Sequence, residues 1–261
     1  MKIAIIGAGA YGRALAKILT DNQHDISFYD PAVYPDVTLE VATYEKDAIV
    51  IAIPSMYLES FLDEYPNHLK KIPTILASKG MMDINKFADF AQFSVISGPG
   101  FAEEIIDGKP TTLTASNPFA MGLFQNQQVT VELCDDTAGI VMCGAIKNIY
   151  AIGAGYYSNS ENMSATFLQH AHAEMQRYLA DHGARAETAE LACGLGDLIL
   201  TCTNDTSRNY RCGVALREGK SIEEITDELK TVEGLTALLN ADTENYKLLR
   251  EIRDLVSSHS K

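Results

Sequence analysis

A glycine-rich turn near the N-terminus constrains the fold of this chain more than any other feature. Residues 2–6 form a continuous apolar strand pattern, and Gly7, Gly9 and Gly12 follow it as G-x-G-x-x-G before a helical pattern begins. Gly7 permits a tight turn, Gly9 lets the backbone approach a pyrophosphate, and Gly12 lets the helix pack on the strand. The context predicts a dinucleotide-binding loop at a helix N-terminus, with a plain tight turn as the alternative.

A carboxylate at the end of the second strand bears on which dinucleotide would bind. The strand covers residues 25–29, and Asp30 follows it 18 residues after Gly12. A carboxylate in this place binds the adenosine ribose 2′-OH and repels a 2′-phosphate. We therefore predict a preference for NAD(H), with NADP(H) as the second option. The alternative is a solvated aspartate in a turn.

Further apolar runs continue the alternation of strand and helix through the first half of the chain. Strands are predicted over 48–53, 74–77, 93–96, 111–115 and 129–133, and a helix over 56–65. Continuous apolar runs are typical of parallel strands covered on both faces. The pattern predicts a Rossmann-type, doubly wound parallel sheet, an α/β domain over residues 1–135. Lys79 follows the fourth strand, at the sheet edge where ligands bind in such domains.

Strand patterns end at about residue 136, and helical patterns take their place. They cover residues 137–157, 161–182, 186–203, 207–218, 221–229 and 233–256. Gly183 and Gly219 are plausible helix stops. We predict an all-helical second domain over residues 136–261.

Composition excludes several classes of partner. The 261 residues carry a net charge of −14, which argues against nucleic acid and anionic membrane surfaces. No apolar run approaches the roughly 18 residues of a membrane span. Five cysteines without C-x-x-C spacing indicate reduced thiols, and His170 and His172 are spaced wrongly for a metal pair. A cytoplasmic protein without a metal site is the expectation.

One lysine stands inside an apolar helical stretch. Lys147 and Asn148 interrupt the run of apolar and small residues from 139 to 155. Burial lowers the pKa of a lysine, so that its amine can give and take a proton near neutral pH. The alternatives are a lysine that extends to the surface or one that pairs with a buried acid.

Two further stretches of the second half carry polar chemistry. Asp197 and Thr201 are one helical turn apart, and Asp197 could hold and tune Lys147 or could cap a helix. The run Ser207-Arg208-Asn209 opens a helix and suits a phosphate or carboxylate. Its alternative is an exposed cap with a solvated arginine. Glu233 lies either in a turn or where its carboxylate reaches a cofactor.

Taken together, these stretches resemble the NAD(P)-dependent sn-glycerol-3-phosphate dehydrogenase family. The matches run in family order from residue 7 to residue 234: G-A-G-A-Y-G, I-P-S, S-K-G, S-G-P-G-F-A-E-E, P-T, G-A-I-K-N, G-L-G-D-L-I-L-T-C, S-R-N and V-E-G. The adjacency of Lys147 and Asn148 favours this family over the 3-hydroxyacid and 6-phosphogluconate dehydrogenases, where the two residues stand about one turn apart. The resemblance implies reversible reduction of dihydroxyacetone phosphate to sn-glycerol 3-phosphate.

The resemblance also assigns roles to single residues. Lys147 takes the position of the proton donor and acceptor. The catalytic set is completed by Lys79, Asp197, Thr201 and Asn148. Substrate positions fall on Lys79, Gly98, Gly100, Lys147, Asn148, Asp197, Thr201, Ser207, Arg208 and Asn209. Cofactor positions fall on Gly7, Gly9, Ala10, Tyr11, Gly12, Asp30, Lys79, Ala102, Arg208, Thr231 and Glu233.

Departures from the family pattern keep other functions open. Gly100 stands where the family usually has Ser or Thr, which suggests a dehydrogenase for another phosphorylated or carboxylated ketone. The chain is short between Gly12 and Lys79 and at its C-terminus, which suggests a non-catalytic NAD(H)-binding sensor. Apolar surface left by the shortening would need a partner, and a homodimer is compatible with the sequence.

Overall fold

The fold is described from a computed structural model, which describes residues 1–230 and 232–260. The chain divides into two compact units, one made of Met1–Ser78 and Met82–Thr137 and the other of Lys79–Met81 and Ala138–Lys261. The short segment that contains Lys79 therefore groups with the second half of the chain rather than with the strands that flank it in sequence.

The first unit is built on one sheet. Its strands, among the residues described, are β1 (Lys2–Ile6), β2 (Asp25–Tyr29), β3 (Ala48–Ile51), β4 (Thr74–Leu76), β5 (Phe93–Ser97), β6 (Thr111–Ala115) and β7 (Val129–Leu133). They lie in the order β2-β1-β3-β4-β5-β6-β7. The order reverses between β1 and β3, which makes the ends of these two strands the place where such sheets bind ligands. The predicted Rossmann-type architecture is confirmed.

One strand pair departs from the predicted all-parallel sheet. β5 and β6 are antiparallel, with Ile96 opposite Ala115, whereas the other neighbouring strands are parallel. The connection from β5 to β6 contains only the short helix α4 (Ala102–Ile106), which has five residues. A parallel pair needs a crossover that carries the chain back along the strand, usually on a helix, and five helical residues rise only about 7 Å.

The helices of the first unit cover the sheet with apolar faces. They are α1 (Ala10–Asp21), α2 (Leu39–Thr43), α3 (Ser55–Asp63), α4 and α5 (Pro118–Phe124), with 3₁₀ turns at Leu69–Lys71 and Ile84–Phe87. In α1 the buried residues recur at helical spacing, Leu15, Ile18 and Leu19 among them, and join a core with Ile3 and Ile5 of β1.

The second unit is helical, as predicted. Its helices are α6 (Thr137–Tyr157), α7 (Glu161–Asp181), α8 (Asp197–Cys202), α9 (Arg208–Arg217), α10 (Ile222–Leu229), α11 (Glu233–Asn240) and α12 (Lys247–Ser258). A 3₁₀ turn at Ala186–Glu190 and a π-helical turn at Ala192–Gly196 precede α8. Gly183 and Gly219 follow helices with φ of 77° and 85°, which confirms them as helix stops.

Two predicted helices are broken in the structure. The helix predicted over 186–203 is interrupted at Leu191, whose ψ of 175° is extended. The helix predicted over 233–256 divides into α11 and α12, because the side chain of Asp242 accepts a hydrogen bond from the backbone N–H of Glu244 and forms a turn. Polar turn-forming residues outweighed the apolar periodicity there.

Helix α6 is the core of the second unit. It has 21 residues, of which 16 are buried. Close approach of its backbone to α9 depends on glycine, since a Cβ on Gly213 would lie 1.9 Å from the carbonyl oxygen of Ile152. The prediction that no apolar run approaches the length of a membrane span is wrong, because α6 is long enough and apolar enough to cross a membrane. However, 89% of its apolar window is buried inside the protein, as in the core helix of a globular unit.

The five cysteines are buried thiols, as the sequence suggested. They lie in the interior, where a free thiol packs as a small hydrophobic group.

Candidate active site

The glycine turn of the first unit has the shape that a dinucleotide needs. Gly7 follows β1 with φ of 105°, and a Cβ on Gly12 would lie 2.0 Å from the carbonyl oxygen of Gly7. Both positions therefore require glycine. A Cβ on Gly9 would meet nothing within 4 Å, so the backbone there borders open space at the start of α1. Open space beside a helix N-terminus fits a pyrophosphate group.

Asp30 has a second role that the sequence did not reveal. Its carboxylate accepts hydrogen bonds from the backbone N–H groups of Ala8, at 2.7 Å, and Ala32, at 3.0 Å. Asp30 therefore fixes the glycine turn to the end of β2. The spacing to Gly12 indicated a ribose contact, but a bond to a main-chain N–H leaves no signal in sequence.

Lys147 is buried and paired. Its side chain is only 6% exposed, and its Nζ lies 2.9 Å from Oδ1 of Asp197 and 2.7 Å from Oγ1 of Thr201. The alternative that this lysine extends to the surface is therefore wrong. The apolar faces of α6 hold the amine inside the unit, and the carboxylate offsets the cost of burying its charge.

Asp197 binds a second amine. Nζ of Lys79 lies 2.8 Å from the other carboxylate oxygen, Oδ2, so the two lysines share one acid. The N-cap of α8 is Gly196, and Asp197 is the first helical residue. The capping alternative for Asp197 is thus wrong, because the preceding π-helical turn leads directly into α8 and the carboxylate binds the lysines instead.

Burial and charge shift the pKa values of this cluster in a defined way. Burial, opposed by the carboxylate of Asp197 and reinforced by the charge of Lys79, lowers the pKa of Lys147 to about 8. Burial alone would raise the pKa of Asp197, but the two lysines outweigh it and hold that pKa below its usual value. The cluster thus contains an ionised carboxylate and an amine that can exchange a proton near neutral pH.

Thr201 orients the amine of Lys147. Its hydroxyl donates to the carbonyl oxygen of Asp197 one turn earlier, at 2.6 Å, and accepts from Nζ of Lys147. Because the hydroxyl proton is held by the helix backbone, its lone pairs face the lysine.

A second polar network surrounds Asn148. Nδ2 of Asn209 lies 2.9 Å from Oδ1 of Asn148, and the backbone N–H of Gly234 donates to Oδ1 of Asn209 at 2.8 Å. Gly234 belongs to the V-E-G match, but the sequence analysis assigned it no role of its own. A glycine directly after Glu233, at the start of a helix, was the available signal for a close approach of two backbones.

The start of α9 carries the remaining polar residues. Ser207 is buried and caps the helix by accepting a hydrogen bond from the N–H of Tyr210 at 3.3 Å. Arg208 is exposed, whereas Asn209 is buried. Ser207 is therefore a cap, but a buried one rather than the exposed cap of the alternative.

The predicted residues divide between the two units. In the second unit the structure joins Lys79, Lys147, Asp197 and Thr201 in one cluster, and Asn148 and Asn209 in the adjoining network. The first unit contains Gly98, Gly100, the first helical residues Ala10 and Tyr11 of α1, and Ala102, the first residue of α4. Glu233 begins α11, and Thr231 lies outside the described residues.

The two glycines after β5 are tightly packed. Gly98 has φ of 155°, and a Cβ there would lie 2.7 Å from the carbonyl oxygen of Thr112. A Cβ on Gly100 would lie 2.8 Å from Cδ1 of Ile105. Ile105 thus occupies the space that a larger residue at position 100 would need.

Comparison with known proteins identifies relatives along most of the chain. The family model for the N-terminus of NAD-dependent glycerol-3-phosphate dehydrogenase matches residues 2–33 and 30–120, and the model for its C-terminus matches residues 136–254. A glycerol-3-phosphate dehydrogenase (NAD(P)+) from Shouchella clausii is 32% identical, with 90% of this chain and 83% of the relative aligned. One from Bacillus pumilus is 31% identical, with 97% and 86% aligned.

A solved structure agrees. The crystal structure of glycerol-3-phosphate dehydrogenase from Coxiella burnetii superposes with a TM-score of 0.87 at 25% identity, covering 98% of this chain and 94% of that one. The chain therefore belongs to the NAD-dependent glycerol-3-phosphate dehydrogenase family.

Proposed function

We propose that this protein catalyses the reversible reduction of dihydroxyacetone phosphate to sn-glycerol 3-phosphate with a nicotinamide cofactor. The observation that supports this most directly is the buried amine of Lys147, held between Asp197 and Thr201 with a pKa lowered to about 8. An amine in this state can serve as a general acid or base at physiological pH. Family membership supplies the substrate and the cofactor class.

The chain's own residues would divide the chemistry at the carbonyl. The cofactor, when bound, supplies or accepts the hydride. Lys147 donates a proton to the oxygen on which negative charge develops, and it takes the proton back in the reverse direction. Lys79 stabilises that charge, and Asp197 keeps both amines oriented. Thr201 fixes the amine of Lys147, and Asn148, the next residue of α6, completes the proposed catalytic set.

Binding of the phosphate would fall to the start of α9. The helix has ten residues and presents its N-terminal N–H groups together with Ser207, Arg208 and Asn209. Such an end attracts anions, and an exposed arginine can bind phosphate through two parallel hydrogen bonds. Gly98 and Gly100 complete the proposed substrate set through their main-chain groups. Phosphate binding would orient the small ketone for the hydride transfer.

Residues of the glycine turn would hold the cofactor. We assign the pyrophosphate to Gly7, Gly9, Ala10, Tyr11 and Gly12, because Gly9 borders open space at the helix start. Asp30 would bind the ribose, which favours NAD(H). Further cofactor positions, proposed from the resemblance, are Lys79, Ala102, Arg208, Thr231 and Glu233.

Location and domain roles are part of the same proposal. We assign residues 1–135 to cofactor binding and residues 136–261 to substrate binding and catalysis. The buried thiols support a cytoplasmic enzyme, and family membership supports a small phosphorylated substrate. A homodimer is retained as the form to test.

The decisive assay is oxidation of NADH by the purified protein with dihydroxyacetone phosphate. Turnover that depends on this ketone supports the proposal. Gly100 favours one competing function, a dehydrogenase for a different ketone, because Ile105 fills the space of the usual side chain. A panel of phosphorylated and carboxylated ketones tests this, and a better substrate in the panel would replace our assignment. Tight NADH binding without turnover on any ketone would indicate a sensor.

A further inference from the structure

A π-helical turn leads directly into the carboxylate that binds the two lysines. The turn covers Ala192–Gly196, and α8 begins at Asp197. The backbone N–H of Asp197 donates to the carbonyl oxygen of Ala192, and the N–H of Gly196 donates to that of Leu191 at 3.5 Å. Each of these bonds spans five residues, whereas the bonds of an α-helix span four. The turn therefore holds one residue more than an α-helical turn.

The extra residue decides the direction in which Asp197 points. Each residue of an α-helix advances about 100° around the axis, so one additional residue in a turn rotates all that follow by a similar angle. Asp197 is the first residue after the turn. Its Oδ1 lies 2.9 Å from Nζ of Lys147, and its Oδ2 lies 2.8 Å from Nζ of Lys79. Both contacts depend on the direction that the π-helical turn sets, and such turns are frequent at functional sites.

Gly194 allows this turn to pack on the 3₁₀ turn before it. A Cβ on Gly194 would lie 2.3 Å from the carbonyl oxygen of Ala189 and 2.6 Å from its Cα. Both are backbone atoms, which cannot turn aside as the end of a flexible side chain can. Gly194 itself is buried, and its N–H donates to the carbonyl oxygen of Leu191 at 3.0 Å. A larger residue at this position must therefore push the two turns apart.

The 3₁₀ turn is held from its other side by α7. The carbonyl oxygen of Ala189, which faces Gly194, accepts a hydrogen bond from Nε2 of His172 at 3.3 Å. A carbonyl can only accept, so this nitrogen carries the proton. One turn further along α7, Nε2 of Gln176 donates to the carboxylate of Glu190 at 2.6 Å. Because α7 holds the 3₁₀ turn, the displacement caused by a larger residue falls on the π-helical turn.

We infer that Gly194 is a positioning residue, which keeps the carboxylate of Asp197 at bonding distance from the amine of Lys147 through the π-helical turn. The inference rests on the proposed function, in which Lys147 transfers the proton. Gly194 has no side chain and acts through the main chain, which reaches Asp197 three residues later. Its role is therefore visible in the protonation of Lys147 and not only in the stability of the unit.

Displacement of the carboxylate has a defined effect on the amine. Burial lowers the pKa of Lys147, Asp197 and Cys202 raise it, and the charge of Lys79 lowers it further. If the carboxylate of Asp197 moves away while the amine stays buried, the pKa of Lys147 falls again. Reduction of the ketone needs the protonated amine, so kcat/KM should then begin to fall at a lower pH.

Gly194→Ala in the full-length protein tests the inference. We expect kcat for reduction of dihydroxyacetone phosphate near neutral pH to fall by about tenfold, because a small misplacement of catalytic groups is costly. The pH at which kcat/KM is half its maximum should fall by about 0.5 or more, since the amine then holds its proton about threefold more weakly. NMR titration of the Cε resonance of Lys147 should give the same change of midpoint without turnover. The matched control is Gly122→Ala in α5, where a Cβ meets nothing within 4 Å, and its midpoint should equal that of the wild type.

The outcomes separate the inference from the proposed function. A Gly194→Ala variant that melts at a lower temperature but keeps the wild-type midpoint would show that Gly194 supports only the fold, which overturns the inference. If Gly194→Ala does not fold, His172→Ala tests the same contact, since it removes the hydrogen bond that holds Ala189 in place. Its midpoint should also fall, and an unchanged midpoint would overturn the inference. Absence of turnover in the wild type would instead overturn the proposed function, while the NMR midpoints would still decide the role of Gly194.

Discussion

The amine of Lys147 and the carboxylate of Asp197 lie 2.9 Å apart in the interior of the helical unit, although 50 residues separate them in sequence. A second lysine, Lys79, binds the opposite oxygen of the same carboxylate. Three charged groups therefore carry a net positive charge when both amines are protonated. Burial is the main reason that the pKa of Lys147 is low, and the charge of Lys79 adds to it. Loss of the proton from Lys147 leaves a balanced pair of charges.

Removal of the amine should abolish most of the activity. Lys147→Met keeps the length and apolar stem of the side chain but cannot transfer a proton. We expect kcat for reduction of dihydroxyacetone phosphate to fall by roughly 10²-fold or more. NADH absorbance measures the rate, and Lys247→Met, at a position whose side chain is 78% exposed, is the control. A rate equal to that of the control would remove Lys147 from the mechanism.

The lowered pKa of Lys147 predicts opposite pH profiles in the two directions. Reduction of the ketone needs the protonated amine, so kcat/KM should fall as pH rises through about 8. Oxidation of sn-glycerol 3-phosphate needs the neutral amine, so kcat/KM should rise over the same range. Measurement of both profiles in one buffer series checks the sign. Profiles that move in the same direction would contradict the assignment.

Loss of the shared carboxylate should destabilise the helical unit. Asp197→Asn leaves the buried ammonium of Lys147 without its counter-ion, which costs about 3–5 kcal/mol in the free energy of unfolding. Denaturant unfolding measures this difference. The double variant with Lys147→Met and Asp197→Leu removes the buried pair and leaves only the partly exposed ammonium of Lys79 unpaired. We expect it to regain part of the stability but no activity. Equal stability of Asp197→Asn and the wild type would indicate that the pair contributes little.

The sequence was most informative where burial alone decides structure. Strands β1, β3 and β4 are continuous apolar runs because helices cover both faces of the sheet, so their positions could be predicted to within one or two residues. The direction of β6 could not, because it depends on the path between two strands rather than on their composition. The break between α11 and α12 depends on a hydrogen bond from one aspartate side chain.

The residues of the candidate site could be predicted from the sequence, but their hydrogen-bond partners could not. Lys147 and Asp197 stood out because charge in an apolar stretch needs a partner. The second bond of Asp197, to Lys79, could not be predicted. Lys79 lies 118 residues away in sequence, and only the folded chain brings its amine to the carboxylate. The same holds for Asn209, whose partners Asn148 and Gly234 belong to other helices. Sequence patterns report the environment of a residue, whereas hydrogen-bond partners follow from tertiary packing.

A pair of glycine substitutions should separate cofactor binding from folding. A Cβ at Gly9 meets nothing within 4 Å, so Gly9→Ala should fold with an unchanged melting temperature. The added methyl group would occupy the space proposed for the pyrophosphate, and we expect NADH affinity to fall by about tenfold or more, as for a loss of at least 1.4 kcal/mol. Fluorescence titration with NADH measures it. Undiminished affinity in Gly9→Ala would place the pyrophosphate elsewhere.

Gly12→Ala is the comparison for the preceding variant. Its Cβ would lie 2.0 Å from the carbonyl oxygen of Gly7, so the strand and α1 must move apart. We expect a lower melting temperature as well as weaker NADH binding. If both variants lose only affinity, close packing at Gly12 is not what holds the turn.

The two roles of Asp30 can be separated by charge. Asp30→Asn retains an oxygen that can accept the N–H of Ala8, now 2.7 Å from the carboxylate, but it loses the negative charge. We expect this variant to keep its stability and to narrow the preference for NADH over NADPH, because a neutral amide no longer repels a 2′-phosphate. Asp30→Ala loses the acceptor as well, so it should narrow the preference and also weaken binding of both cofactors by loosening the glycine turn. The ratio of kcat/KM values for NADH and NADPH, measured in the wild type, Asp30→Asn and Asp30→Ala, tests these expectations. An unchanged ratio in Asp30→Asn would mean that Asp30 only stabilises the glycine turn and that other residues determine the preference between NADH and NADPH.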